Sequence, residues 1–460
     1  MRKVTHLRPR KTTILGAAIA TIVGVAALIA ISQDAALSES VRAALTVRLE
    51  SKLVPQQNAF YLAAGMRAPE DRAAVTVGMD IVSEMVSRQK ADPADVLKVI
   101  MTSPRQGAIG SIKTTSGAPK ELCDPVLKPC YAEHVAGQNQ IDHLVAEHRV
   151  GLLRYRALGD FPGYEEPADI IFVHDGALIA KLLSLQNLAL ARATLEVSRG
   201  GTAESLNLIE RELKAWRTIA VGSSVLAVKL IAISAITRAV RTLSEWMLNV
   251  PGFVDHGQTR ILQMLASLQI GDITMDVALL QEFKFLAARV EMLPSAAVEP
   301  DIPSWGQRAP FLLKNATLNA AYDSTVQLVV LSKKSPNEIA RLGRSILHVD
   351  SLAGAVWQKL VSLVHNRNGY AMLDRERRHL ADKMLRLHDL DGLVRLVGLQ
   401  LELSAQKVPV NDIGKFVAGA ALRDPYTGQA MRWDASSRTL SAEVHSEERP
   451  SNSRVAIRLQ

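Results

Sequence analysis

The fold depends most on Thr218–Thr237, which reads TIAVGSSVLAVKLIAISAIT. The stretch is apolar apart from Lys229 near its centre, and a helix of 20 residues can cross a hydrocarbon core about 30 Å thick. A lysine at mid-bilayer costs about 3 kcal/mol, whereas in a soluble helical domain its side chain can extend to the surface. We therefore predict that this stretch forms a buried helix of a helical domain. The alternative is a membrane-spanning helix, for which Arg238 and Arg241 would mark the cytoplasmic end.

The composition around this stretch is that of a folded, mainly α-helical protein. Of the 460 residues, 48% are hydrophobic, 22% are charged and only 4% are aromatic. The apolar fraction suffices for a packed core and excludes a wholly disordered chain. The 2 cysteines are too few for a disulfide-dense secreted scaffold. Length alone favours two to four domains.

The amino terminus predicts a membrane anchor. Residues 12–33 (TTILGAAIATIVGVAALIAISQ) contain no ionisable side chain and are long enough to form a transmembrane helix. The flank before them, residues 1–11, has no acidic residue, and its basic residues are Arg2, Lys3, Arg8, Arg10 and Lys11. Such a flank stays in the cytoplasm, so we predict a single-pass protein of the bacterial inner membrane with the bulk of the chain in the periplasm.

A cleaved signal peptide is the alternative interpretation of the same segment. Ala30 and Ser32 occupy the −3 and −1 positions of a small-residue cleavage site before Gln33. The apolar run is longer than the roughly 7–15 residues usual in signal peptides, which favours the uncleaved anchor. Both interpretations export the rest of the chain.

The net charge does not predict a nucleic-acid partner. Five of the eight net positive charges belong to the amino-terminal flank, so only three are spread over the remaining chain. A basic protein that binds nucleic acid concentrates its charge on the folded domain. The pI near 9.4 therefore largely reflects the basic flank beside the predicted membrane segment, and that flank indicates topology.

The exported chain reads as an antiparallel array of helices in two regions. We predict a helical periplasmic domain over 34–293, with a Gly-, Pro-, Ser- and Thr-rich loop over 103–130, and a second helical region over 311–422. Four prolines mark a linker over 294–310 between them. The segment Ser335–Glu338 (SPNE) predicts a capping box at a helix start.

Cys123 and Cys130 are the only cysteines and lie in CDPVLKPC. In an oxidising compartment, two cysteines seven residues apart can close a loop, so we predict a disulfide that stabilises the protein by about 2–3 kcal/mol. Two free thiols and a metal site are the alternatives. The spacing to His134 matches no standard zinc motif.

No motif predicts a catalytic site, a metal site or a cofactor. The stretch 143–148 (HLVAEH) has one residue too many for an inverted zinc-protease pattern, and 376–379 (ERRH) lacks the partner pair of a di-iron bundle. Residues 404–407 match S-x-x-K without its companion motifs. The chain contains no G-x-S-x-G, Walker A or G-x-G-x-x-G motif.

The carboxyl-terminal part, 423–460, differs from the helical body. Pro425 and Gly428 in Asp424–Trp433 (DPYTGQAMRW) predict a tight turn, and the alternation that follows predicts a small β-hairpin with a frayed, solvated end. The turn motif consists of Asp424, Pro425, Tyr426 and Gly428.

This segment resembles the DP(F/Y)TG-x-x-(L/M)-(R/K)-(Y/W) ending of a loose group of uncharacterised bacterial envelope proteins. Those proteins likewise begin with one membrane segment and continue as long helices. The tail is also similar to the turn and hairpin that close type II secretion pseudopilins, but this chain is far longer and lacks their processing motif. The resemblance implies an envelope location and a terminal hairpin, and it implies no reaction or ligand.

These patterns together predict a mainly α protein: an N-terminal transmembrane helix, an antiparallel helical array and a small C-terminal β-hairpin. The predicted function is a membrane-anchored periplasmic scaffold whose partners are the lipid bilayer and other envelope proteins. A periplasmic hydrolase acting on envelope polymers and a secretion-system accessory protein are the alternatives.

Overall fold

The computed structural model describes residues 34–47, 52–91, 122–167, 176–268, 270–292, 312–342, 366–445 and 454–459. The basic flank 1–11, the predicted membrane segment 12–33, the linker 294–310 and most of the loop 103–130 lie outside these residues. Within the described ranges, no helix combines the length and the apolar character that crossing a bilayer requires.

Fifteen α-helices and three β-strands make up this part of the chain. The helices are α1 (Glu39–Thr46), α2 (Ala59–Ala64), α3 (Ala74–Ala91), α4 (Tyr131–Ala136), α5 (Gln138–Glu147), α6 (Arg149–Ala157), α7 (Gly176–Ser198), α8 (Thr202–Gly222), α9 (Leu226–Asn249), α10 (Phe253–Ser267), α11 (Asp276–Met292), α12 (Lys314–Ser332), α13 (Pro336–Leu342), α14 (Arg367–Ala405) and α15 (Ile413–Gly419). The strands are β1 (Arg432–Asp434), β2 (Thr439–Glu443) and β3 (Arg454–Arg458). The prediction of a mainly α-helical protein is confirmed.

The stretch Thr218–Thr237 forms the end of α8 and the first half of α9, with a break at residues 223–225. The break leaves no continuous helix over these 20 residues. Beyond the break, Ala232 and Ile236 are fully buried against neighbouring helices, as the prediction of a buried helix requires.

Lys229 is buried in the core, with 1% of its surface exposed, so the expectation that it extends to the surface is wrong. Its Nζ donates hydrogen bonds to the carbonyl oxygens of Ala220 at 2.6 Å and Val221 at 3.2 Å. These carbonyls lie in the last turn of α8, where intrahelical partners are lacking and the helix dipole is negative. The lysine therefore caps α8 from within the core.

Glu166 occupies the other side of the same junction. Its carboxylate accepts hydrogen bonds from the backbone N–H of Ser224 at 2.7 Å and from the hydroxyls of Ser223 and Ser224. Burial lowers the pKa of Lys229 to about 8, and the Glu166 charge partly opposes this shift. The junction between α8 and α9 thus holds the buried ammonium of Lys229 and the half-buried carboxylate of Glu166. Each of them bonds backbone groups that lack a partner within a helix.

Helix α9 lies at the centre of the fold and packs against α7, α8 and α14. Hydrogen bonds between polar side chains and their partners cross two of these contacts in the core: Gln186 Nε2 on α7 donates to the Ala235 carbonyl at 2.8 Å, and Ser244 Oγ donates to Gln400 Oε1 on α14 at 2.6 Å. Because buried polar groups need partners, these bonds fix how α7 and α14 sit along α9.

The two predicted helical regions pack on each other. Helix α11 from the first region contacts α12 from the second, and Phe283 and Val290 share a core cluster with Leu318 and Met372. The predicted capping box is confirmed: Ser335 N donates to Glu338 Oε2 at 3.0 Å and Glu338 N to Ser335 Oγ at 3.3 Å.

The carboxyl-terminal residues form an antiparallel sheet in the order β1-β2-β3, which packs on α14. The predicted hairpin corresponds to β1 and β2, where Trp433 pairs with Leu440. The end of the chain was predicted to be frayed and solvated, but it forms a third strand, β3, whose Val455 and Ile457 face the core. Their alternation with arginines is the strand signal that the sequence interpretation overlooked.

Replacing Gly222 with alanine is expected to lower the free energy of unfolding by about 1–3 kcal/mol, because the added Cβ would lie 1.9 Å from the Tyr164 carbonyl oxygen. Gly419→Ala is the matched control, since nothing lies within 4 Å of its Cβ position. Urea unfolding followed by circular dichroism measures both. Equal midpoints for the two variants would contradict the close packing at the junction.

Candidate functional site

The sulfur atoms of Cys123 and Cys130 lie at disulfide-bonding distance, and the two Cα atoms are 5.6 Å apart. Both residues are buried. The predicted pairing is therefore confirmed, and it closes a loop of six residues between the two cysteines. We call residues 123–130 the disulfide loop.

An ion pair fastens the start of the disulfide loop to α9. Arg238 Nε and Nη2 donate to the two carboxylate oxygens of Asp124 at 3.1 and 2.9 Å. The arginine side chain is only 6% exposed. A two-point contact between guanidinium and carboxylate fixes orientation as well as distance, so Asp124 cannot swing away from the helix.

Glu245 fastens the other end of the loop. Its Oε2 accepts hydrogen bonds from the backbone N–H groups of Cys130 and Tyr131, both at 2.7 Å. Burial raises the pKa of Glu245, and these two hydrogen bonds oppose the shift because they favour the carboxylate. Glu245 and Arg238 lie seven residues apart on α9, two helical turns, and so share a face. One face of α9 holds both ends of the loop.

The tip of the disulfide loop points away from this base. Leu127 is 83% exposed, which is unusual for a leucine, and Lys128 beside it pairs with Glu133 of α4 at 2.6 Å. Inside the loop, Asp124 Oδ1 also accepts the N–H of Val126 at 2.9 Å and holds the turn. The arrangement presents an apolar side chain on a backbone that is already ordered.

His134 lies on α4, one turn after Cys130, and is buried. Burial lowers its pKa to about 4, with Glu133 and the Cys123 backbone partly opposing the shift. The imidazole is therefore neutral at physiological pH. No group of three His, Cys, Asp or Glu side chains suited to a metal ion occurs in the described part of the chain.

The predicted turn motif near the carboxyl terminus forms a second polar cluster. Asp424 Oδ1 accepts the backbone N–H of Tyr426 at 2.9 Å and of Thr427 at 3.1 Å, and Oδ2 accepts the N–H of Glu443 at 2.7 Å. Pro425 begins the turn, and Gly428 ends it in the left-handed region with φ 69°. Asp424 thereby joins the turn to β2.

Tyr426 connects the turn to α14. Its hydroxyl donates to Asp389 Oδ1 at 2.8 Å, and the same oxygen accepts the backbone N–H of His445 at 3.1 Å. The rings of Tyr426 and His445 are 4.3 Å apart. Burial and the neighbouring Asp389 raise the pKa of Tyr426, which keeps the phenol protonated. The turn motif therefore attaches the sheet to α14, and nothing in its geometry indicates chemistry.

A third cluster, which the sequence interpretation missed, lies between α6 and α8. The hydroxyl of Tyr155 donates to Glu212 and accepts the Trp216 Nε1–H at 2.7 Å. Burial raises the pKa of Glu212 to about 8, so the acid stays protonated at neutral pH. Glu212 lies between Ile209 and Trp216 on the apolar face of α8, and that position was the available signal.

The structure does not bring these clusters together: the disulfide loop lies on α9, the turn motif on α14, and the Tyr155–Glu212 pair between α6 and α8. The five basic topology residues at the amino terminus lie outside the described residues.

No protein-family model, curated protein or solved structure matches the chain. Of the three clusters, the disulfide loop is the one that exposes a large apolar side chain, Leu127, and it is the candidate site.

Asp124→Asn is expected to lower the free energy of unfolding by about 3 kcal/mol, because it leaves the Arg238 charge buried without an anionic partner. Arg149→Gln is the control: it removes the largely exposed pair with Glu70 and should cost less than about 1 kcal/mol. Urea titrations of the two variants beside the unaltered protein test this. A cost for Asp124→Asn no larger than the control's would refute the fastening role.

Glu212 should make the protein less stable as the pH rises from about 4.5 to about 8, because only the unfolded chain releases the proton over this interval. The loss is at most about 1.4 kcal/mol for each pH unit and stops above the folded pKa. Glu212→Gln should flatten this part of the curve of unfolding free energy against pH. Glu147→Gln, a substitution at an exposed position, serves as the control and should leave the curve of unfolding free energy against pH unaltered. If the Glu212→Gln curve runs parallel to the control curve, Glu212 does not cause the loss of stability.

Proposed function

We propose that this protein is a membrane-anchored, single-pass interaction protein of the bacterial envelope. Its body, an antiparallel array of helices, lies in the periplasm and binds other envelope proteins through the disulfide loop. The observation that carries the proposal is the exposed Leu127 on a loop whose two ends are held by Arg238 and Glu245.

The energetics of association support a binding role for this loop. A flexible loop loses conformational freedom when it binds, at about 0.5–1.5 kcal/mol for each immobilised side chain. The Asp124–Arg238 pair and the Glu245 hydrogen bonds have already fixed the loop backbone on folding. Burying one leucine in a partner contributes about 1.5–3 kcal/mol, so Leu127 would add to the affinity of an interface that covers the tip of the loop.

Three observations support the location. Residues 12–33 have the length and composition of a transmembrane helix behind a basic flank. Paired cysteines persist in oxidising compartments such as the periplasm and are rare in the cytosol. The DPYTG turn resembles the ending of the bacterial envelope proteins named in the sequence analysis.

Photocrosslinking in cells tests the binding role. A photoreactive amino acid at position 127 should give a discrete crosslinked product, because a partner would bury this side chain. The control carries it at Leu153 on α6, another leucine that is 56% exposed, and should not give that product.

The second arm of the experiment removes the disulfide and leaves the contacts of Arg238 and Glu245 in place. In the Cys123→Ser, Cys130→Ser double variant, the product from position 127 should weaken, because the loop without its covalent closure samples more conformations. Identical products from positions 127 and 153, or a product unaffected by loss of both cysteines, would count against the proposal.

A further inference from the structure

The first described residues, Asp34–Val47, are docked on the helical body. The Asp34 carboxylate accepts hydrogen bonds from the first turn of α12, from Asn315 N at 2.8 Å to Oδ2 and from Ala316 N at 3.0 Å to Oδ1. The N–H groups at a helix start have no intrahelical acceptor and carry the positive end of the dipole, so a carboxylate there is stabilising. Asp34 thus caps a helix that begins 280 residues later in the chain.

Further contacts hold the segment after Asp34 in place. Asn319 on α12 donates from Nδ2 to the Ala36 carbonyl and accepts the Ser38 N–H at Oδ1, both at 3.0 Å. Val41 on α1 is fully buried in the cluster that contains Phe283. The segment therefore belongs to the folded body and is not a free tether.

The distance from the predicted membrane segment to α12 is short. Asp34 directly follows the apolar run, and its carboxylate is hydrogen-bonded to the first turn of α12, so a single residue links the predicted segment to this helix. A bilayer of about 40–45 Å with a core of about 30 Å has a headgroup layer of about 5–8 Å on each side. No room for a spacer remains between the hydrocarbon core and the body.

We infer that the amino-terminal end of α12, with Asp34, rests directly on the phospholipid headgroups. This inference depends on the proposed membrane anchor. The end of α11 lies in the same place, because Lys314 Nζ donates to the Glu291 carbonyl at 2.6 Å. The surface in contact with lipid is thus formed by Asp34, the first turn of α12 and the end of α11, and the body has one fixed face towards the membrane.

Collisional quenching in vesicles tests the inference on the full-length chain. The protein is reconstituted into phosphatidylethanolamine–phosphatidylglycerol vesicles, and Lys314→Cys carries a thiol-reactive fluorophore. Because Cys123 and Cys130 are paired and buried, only the new cysteine should react. Lipids with spin labels on their headgroups should quench this fluorophore strongly.

The matched control carries a Gly-Ser insertion of roughly ten residues between Gln33 and Asp34, whose average span is about 17 Å. It preserves the Asp34 cap and the labelled site and moves the body away from the lipid, so the quenching should be lost. Vesicle flotation separates the outcomes. A chain that floats but shows weak quenching, or quenching that the insertion does not change, overturns the inference and leaves the anchor intact. A chain that does not float overturns the membrane anchor itself.

Discussion

A helix that ends inside a protein core leaves carbonyl groups that water cannot reach, and the arrangement of α8, α9 and their neighbours depends on how this constraint is met. Lys229 supplies the missing donors to α8. Burying the ammonium of Lys229 without an anion nearby would be unfavourable. The carboxylate of Glu166 lies close enough to favour the protonated form of the lysine. Once the junction is closed, α9 can be surrounded by helices, and its sides then position the disulfide loop, α7 and α14.

A related contact recurs at three points where distant parts of the chain meet. A carboxylate accepts backbone N–H groups in each case: Glu166 before α9, Glu245 at the start of α4, and Asp424 between the turn and β2. A carboxylate in such a position gains charge-assisted hydrogen bonds and satisfies backbone that packing would otherwise leave unpaired. These three carboxylates stabilise the fold by binding backbone N–H groups. They belong to no catalytic motif, so the search of the sequence for catalytic motifs did not identify them.

The features predicted from sequence are those that local chemistry determines. Helical periodicity, the Ser335–Glu338 capping box and the turn at Gly428 each depend on residues within one or two turns, and each is present. The pairing of Cys123 with Cys130 is equally local. The environments of Lys229 and Glu212 were not predictable in this way, because burial depends on helices that lie far away in sequence. Strand β3 was missed because its five residues are a weak signal on their own.

The carboxyl-terminal sheet has a consequence for when the protein can fold. Val455 and Ile457 are buried in the main hydrophobic cluster, and β3 contacts both α9 and α14. Strand β3 therefore completes the core around the central helices α9 and α14. Because α9 precedes β3 by about 200 residues, this part of the core cannot close on the ribosome until β3 has been synthesised and has left the exit tunnel.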